Sequence, residues 1–348
     1  MIEKYQKIFQ EVNNEHVQNI DKHRNSRVLI IDGLNTFIRC WSSIPTMNED
    51  GDHVAGVTNV LLSIGYAIKQ TNPTRVIVVF DGKDGSSGRK KIYSGYKSKR
   101  GKNKMRVNRS YADMMNVEDE RESMKRQFMW LTEFLHNLPV TTMIYDRVEA
   151  DDVMAYVAGH LLKENEQGVL MSTDKDFLQL VDDTTIVWSP TKKKIYNINS
   201  VYEDFGIKPH NLLLYRVLDG DVSDEIPGIR GCGLKTVHKR FPELTGDKKL
   251  TVEDLLRLAN EKSGKVKLYD DIRLAKEQIR MNRRLMQLDD PEISGNVKTK
   301  IMSKFDEDTT ALNKLDFMKV CLKYKVTDKF TKDIHGWLGQ TFGMLVTS

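Results

Sequence analysis

Three aspartates each close a short apolar run: Asp32 ends RVLIID, Asp81 ends RVIVVFD, and Asp174 ends GVLMSTD. Such runs read as buried strands. In an open parallel sheet the carboxyl ends of the strands share one edge, and ligands bind in the crevice there. One aspartate at a strand end is ordinary turn chemistry; three at one edge ask for another explanation. The segment EADD adds Glu149, Asp151 and Asp152 in the first turn of a helix that follows the strand TTMIYD, so they lie at the same edge. A helix N-terminus favours acids, but three in four positions repel one another more than the dipole requires. Asp176 follows Asp174 by two residues, and Asp221 and Asp224 stand in LDGDVSDEIPG. Without cations nine such carboxylates are destabilising or partly protonated. Oxygen donors with no His or Cys among them select hard ions, Mg²⁺ or Mn²⁺. So many acids imply two ions, an arrangement suited to in-line displacement at phosphorus.

Two other features bear on anions. Between Arg89 and Arg109 there are ten Lys or Arg and no Asp or Glu, with Tyr93 and Tyr96 among them. This is either a solvated insertion or a nucleic-acid clamp, cations for phosphates and rings for bases. The stretch IPGIRGCGLKTVHKRF has Gly228, Gly231 and Gly233 opening a helix that carries Lys235 and Lys239. Glycines let backbone N–H groups approach a phosphate. The pattern has the look of a helix-hairpin-helix that grips a DNA backbone without reading sequence; a plain helix connection is the alternative.

The elements that must position these groups follow from periodicity. Strands alternate with helical segments as far as residue 198, which means βαβ units and a mainly parallel sheet with helices on both faces. Helical patterns over 54–69, 117–138 and 149–164 belong to this part. Beyond about 199 only helices are expected: HNLLLYRVLDG, LKTVHKRF, VEDLLRLAN and IRLAKEQIRMNRRLMQL. Residues 1–25 carry Tyr5, Ile8, Phe9, Val12 and Ile20 at helical spacing. The expected organisation is an N-terminal helical extension (1–25), an α/β core (26–198) that includes the basic segment 83–116, a hairpin-bearing helical region (199–290) and a helical tail (291–348).

Composition excludes several classes. The chain has 348 residues, 39% hydrophobic and 30% charged, with a net charge of +5, enough for a sizeable core. Cys40, Cys232 and Cys321 are widely spaced and form no disulfide framework, which fits a reducing compartment. There is no HExxH and no apolar run of the ~18 residues that a membrane span needs. With no signal peptide apparent, the expected location is cytoplasmic, the host cytoplasm if a phage encodes the chain.

Taken in order, IIDGLNTF, VVFDGK, VEADDVMAYVA, LMSTDKDFLQLV and GDVSDEIPGIRGCGLKTV resemble the 5′ nuclease (flap endonuclease, 5′→3′ exonuclease) family. Its members include the nuclease domain of bacterial DNA polymerase I and stand-alone phage flap endonucleases with RNase H activity, to which this chain looks closest. The resemblance covers about residues 27–290 and implies a PIN-like α/β fold with a helical arch, at 83–116, above a two-metal site. By motif position it implies metal ligands at Asp32, Asp81, Glu149, Asp151, Asp152, Asp174, Asp176, Asp221 and Asp224, with Asp151, Asp174 and Asp176 central to catalysis. It implies that Lys97 and Arg100 act in the arch beside Tyr96, and that Arg89 is the basic residue at its base. Lys104, Gly231, Gly233, Lys235 and Lys239 are expected at the nucleic acid. Asn282 resembles a residue of the family's helix after the hairpin, and the Gly231–Gly233 loop one that can also hold K⁺.

The expected activity is divalent-metal-dependent hydrolysis of phosphodiester bonds near 5′ ends and 5′ flaps of DNA, and of primer RNA paired with DNA. The rivals are a non-catalytic structure-specific DNA-binding protein, which leaves the acids unexplained, and an Asp-nucleophile phosphatase. The latter wants a second acid two residues after Asp32, where Leu34 stands. For the tail a helical cap on the core is the default; a contact with a replication protein such as a single-strand-binding protein is the alternative.

Overall fold

The structure, a computed structural model, describes residues 26–43, 46–99, 117–264 and 266–345. The 1–25 extension and the second half of the expected arch (100–116), with Arg100 and Lys104, lie outside the described residues. Six strands form one sheet: β1 (Arg27–Asp32), β2 (Arg75–Asp81), β3 (Thr141–Tyr145), β4 (Gln167–Met171), β5 (Thr185–Ser189) and β6 (Lys194–Tyr196), in the order β3-β2-β1-β4-β5-β6. The first five are mutually parallel and β6 is antiparallel to β5.

Because side chains alternate across a strand, each strand feeds both faces of the sheet, and both are apolar as expected of a covered parallel sheet. Val28, Ile30, Ile77, Val79 and Leu170 face one layer; Leu29, Ile31, Val76, Val78 and Met171 face the other. The helices are α1 (Gly33–Trp41), α2 (Ala55–Thr71), α3 (Ser87–Ile92), α4 (Val117–His136), α5 (Ala150–Tyr156), α6 (Ile198–Phe205), α7 (Pro209–Asp219), α8 (Leu234–Arg240), α9 (Val252–Glu261), α10 (Lys267–Leu274), α11 (Lys276–Met286), α12 (Gly295–Asp306), α13 (Lys314–Lys323) and α14 (Ile334–Phe342). Helices α1, α2 and α4 cover the second layer together with Phe317, Cys321, Trp337 and Leu338 from α13 and α14; α5 and α7 to α12 share the first. All three cysteines are buried and free. Among the described residues no helix is long and apolar enough to cross a membrane.

Four details differ from the sequence reading. Helix α1 was not expected. The span 149–164 is α5 followed by one π-helical turn, Val157–Leu161. Residues 272–288 contribute to two helices, α10 and α11. Asp174 lies three residues past β4, where its side chain caps a 3₁₀ turn, Lys175–Leu180.

One close crossing fixes the acidic edge. A β-carbon on Gly82, just after β2, would sit 1.7 Å from the Tyr145 carbonyl oxygen at the end of β3. The two loops run against each other there, with the Gly82 N–H donating to the Val148 carbonyl. The same crossing lets Asp81 accept from the Ala150 N–H at 2.8 Å and so hold the start of α5. Gly82→Ala should therefore lower the unfolding free energy by about 1–3 kcal/mol through overpacking against backbone. A urea titration checks it; unchanged stability would mean that the crossing is not tight.

Candidate active site

Each acidic group reaches the carboxyl edge of the sheet on a different element. Asp32 leaves β1 and caps α1, accepting from the Asn35 N–H at 3.0 Å and from the Ser172 hydroxyl at 3.1 Å. Glu149 is the N-cap residue of α5, with Asp151 and Asp152 in its first turn. Asp174 accepts from the Asp176 N–H at 2.8 Å. Asp221 closes a turn by accepting from the N–H groups of Ser223 and Asp224.

Three cations tie these elements together. Arg89, on α3, donates to Glu149 at 2.5 Å and to both oxygens of Asp152 at 2.8 and 2.7 Å. Lys97 donates to Glu149 at 2.5 Å, and its ammonium is 3.6 Å from Asp224. Arg216, in the last turn of α7, donates to Asp176 at 2.9 Å and to Asp221 at 2.6 Å. The bridges join the EADD turn to the Asp224 turn, and the Asp176 turn to Asp221. All nine predicted acids are thus within one set of caps, bridges and mutual charges, Asp81 through the Ala150 N–H and its charge on Asp32.

The electrostatics show where positive charge is wanting. Burial pushes Asp32 up to about 7, opposed by the Asn35 N–H and reinforced by the charges of Asp81 and Asp174. Burial also raises Asp176 to about 7; Asp174 adds to this and Arg216 opposes it. Asp151 is raised well above the ordinary range by burial and by Asp32 and Asp174. Burial raises Asp174, with Asp224 and Asp221 adding to the effect. Glu149 is the contrast: burial would raise it, but Arg89 and Lys97 hold it below its ordinary value.

Arg89 and Tyr96, expected at the nucleic acid, turn inward instead. The Arg89 guanidinium is spent on two carboxylates and the Leu285 carbonyl. Tyr96 is 2% exposed, and its hydroxyl donates to Glu149 at 3.3 Å, so its ring offers no face to a base in this state. Repulsion at the edge draws these polar groups in. By contrast Gly231, Gly233, Lys235 and Lys239 are exposed. Gly231 has φ +86°, and a β-carbon on either glycine would meet nothing within 4 Å. Asn282 is buried and donates to the Val217 and Pro227 carbonyls, holding α11 against the glycine loop.

Sequence reasoning missed Arg216, Ser172 and Asn35. A single cation in the otherwise apolar face of HNLLLYRVLDG was the available signal for Arg216.

A family model described as "5′-3′ exonuclease, N-terminal resolvase-like domain" matches residues 27–206. The chain belongs to the 5′ nuclease family. It is thereby a hydrolytic nuclease. The chain is 33% identical over 214 residues to flap endonuclease Xni of a Shewanella species, spanning 61% of this chain and 73% of the relative. It is 29% identical over 208 residues to the 5′-3′ exonuclease of Aquifex aeolicus, spanning 60% of this chain and 66% of that one. Against DNA polymerase I of Thermus thermophilus it covers 28% of the relative's length at 29% identity. The fold is similar to that of the bacteriophage T5 5′-exonuclease bound to divalent zinc ions, with a TM-score of 0.59 and 21% identity over 86% of this chain and 99% of that one.

The donor set of this 5′ nuclease fits hard cations: oxygen ligands only, several of them raised above the ordinary carboxylate range by burial and neighbouring acids. Among the described residues no group of three or more His, Cys, Asp or Glu stands ready to hold an ion; Arg89, Lys97 and Arg216 occupy the carboxylate oxygens instead. A cation that binds only the folded chain stabilises it, by about 2.7 kcal/mol at one hundred times its dissociation constant. Mg²⁺ should therefore raise the melting temperature of the wild type, and the rise should shrink in Asp174→Asn. Equal rises in both proteins would remove Asp174 from the ligand set.

Proposed function

We propose that the protein is a divalent-metal-dependent, structure-specific 5′ nuclease that cleaves phosphodiester bonds near free 5′ ends and 5′ flaps of DNA, and in primer RNA paired with DNA. One observation carries the reading: acids from five separate chain segments meet at one sheet edge, beside an exposed glycine loop that can lie along a phosphate backbone. A binding protein without catalysis has no use for carboxylates that repel its ligand.

A pair of Mg²⁺ or Mn²⁺ ions would be held by Asp32, Asp151, Asp174 and Asp176, with Asp81, Glu149, Asp152, Asp221 and Asp224 around them, and would supply a nucleophilic water and charge stabilisation at phosphorus. The chain's own groups do the rest. Ser172 and Asn35 hold Asp32 in place, and Arg216 aligns Asp176 with Asp221. Lys97 presents an ammonium at the acid cluster, where it can face the scissile phosphate; Arg100, by motif position, has a similar role, and Lys104 a more distant phosphate contact. Gly231, Gly233, Lys235 and Lys239 take the duplex backbone, and the Gly231–Gly233 loop is a site for K⁺. Replication proteins, a single-strand-binding protein among them, are the partners this activity would have, in the cytoplasm of the cell in which DNA is copied.

Asp174→Asn should abolish metal-dependent cleavage of a 5′-flap substrate while leaving DNA binding intact or tighter, because it removes a ligand and lessens repulsion toward phosphate. More than a few per cent of the wild-type single-turnover rate would sink the two-ion reading.

Gly233→Leu provides a separate check on the hairpin. Its φ of −64° suits any residue, and the space around it is open, so the fold should be unaffected. Duplex binding should weaken by about 1–3 kcal/mol as backbone contacts to phosphate are blocked. Unchanged affinity would make the loop a plain turn.

A further inference from the structure

One acid beside the site belongs to none of the groups above. Glu225 follows Asp224 directly, and its carboxylate reaches Ser98 and Lys99 in the basic segment. Oε2 accepts from the Ser98 hydroxyl at 2.7 Å and from the Lys99 N–H at 3.0 Å; Oε1 lies 3.2 Å from the same N–H. The Lys99 ammonium is 3.7 Å away but 78% exposed, while the Glu225 side chain is 15% exposed. An ion pair so open to water contributes little, so the shorter hydrogen bonds carry the contact. One residue earlier on each strand of this junction, the Lys97 N–H donates to the Asp224 carbonyl at 3.0 Å.

The backbone shows what the junction imposes. Lys97 has φ +49° and Glu225 has φ +61°. Both are left-handed, a conformation that side-chain-bearing residues adopt at a cost and keep only where their surroundings over-determine it. The left-handed turn at Lys97 is what directs its side chain back to Glu149 and Asp224 rather than along the segment toward solvent. Three hydrogen bonds from residues 97–99 to residues 224 and 225 hold that turn in place.

We infer that Glu225 is a positioning residue for cleavage: its carboxylate clips Ser98 and Lys99 to the acid-bearing turn and so keeps the Lys97 ammonium at the active site. The inference rests on the reading of Lys97 as a group that acts at the scissile phosphate. The Glu225 carboxylate binds Ser98 and Lys99, so it acts through Lys97. Misplacing a reacting group by even an ångström is costly, whereas overall phosphate affinity depends on many cations at once.

The test is a double-mutant cycle, read as single-turnover rate at saturating 5′-flap DNA and, separately, as the dissociation constant. Glu225→Ala should slow the rate by about 10- to 100-fold and change the dissociation constant by less than about threefold. Lys97→Ala should also be slow, and the double variant no slower than Lys97→Ala alone. Ser98→Ala, which removes one hydroxyl donor, should give a smaller loss that likewise vanishes in the Lys97→Ala background. Glu225→Gln keeps acceptors for Ser98 and Lys99 and should recover part of the rate. Glu225→Gly relaxes the left-handed backbone yet lacks the clip, and should be as slow as Glu225→Ala. Losses that multiply in the double variant, or a wild-type rate for Glu225→Ala, would overturn the inference. A wild-type rate for Lys97→Ala would overturn the reading of Lys97 itself and the inference with it. Melting temperatures of the single variants within a few degrees of wild type separate positioning from loss of fold.

Discussion

Like charges crowded at the edge of a parallel sheet set the terms for the rest of this molecule. Nine carboxylates from β1, β2, α5, the turn after β4 and the turn after α7 lie along one edge of the sheet, where neighbours such as Asp81 and Asp174 raise the cost of ionising Asp32. Arg89, Lys97 and Arg216 relieve part of that repulsion, each from a different element and each by spanning two acids. The division is uneven. Glu149 receives two cations and stays below its ordinary pKa, whereas burial raises Asp32, Asp151 and Asp174, and the charges of neighbouring acids add to it. An added cation at these acids would offset the cost that burial and neighbouring charge impose.

The fold tolerates this edge because the strands beneath it are buried on both faces. A run such as Leu29, Ile30 and Ile31, with no exposure on either side, gives a stiff base from which Asp32 cannot retreat. Tight crossings reinforce it. Gly82 lets the loop after β2 lie directly on the end of β3, and Gly228 does the same against the Asp219 carbonyl, where a β-carbon would come within 1.9 Å. Both glycines adjoin acid-bearing turns, so their small size sets where the charges stand.

Much of this was legible in the chain. Apolar runs ending in aspartate predicted strands and a shared edge, and the structure has β1 and β2 ending at Asp32 and Asp81. Helix α1 was also legible but overlooked: Leu34, Phe37, Ile38 and Trp41 have helical spacing, and Asp32 with Asn35 marks a cap. Other features were not in the local pattern. Tyr96 stands in a basic run that looks solvated, and only the tertiary approach of α5 buries it. Arg216 looks like the partner of an ordinary helical ion pair with Asp219, yet that contact is the longest of its three at 3.9 Å. Its shorter contacts are to Asp176, forty residues earlier, and to Asp221 beyond the helix end.

The three internal cations differ in a way that matters for a site that must accept ions and phosphate. Arg89 and Arg216 lie on helices, and their planar guanidinium groups each span two carboxylates; that geometry is rigid and directional. Lys97 is a point charge on a flexible stem, and its place depends on a left-handed turn held from outside by Asp224 and Glu225. Moving either arginine means breaking several short hydrogen bonds at once. The Lys97 ammonium sits between Glu149 and Asp224, donating to the first at 2.5 Å and lying 3.6 Å from the second. Of the three cations it is the one whose chemistry allows it to exchange a carboxylate for a phosphate oxygen without disturbing the scaffold that aligns the acids.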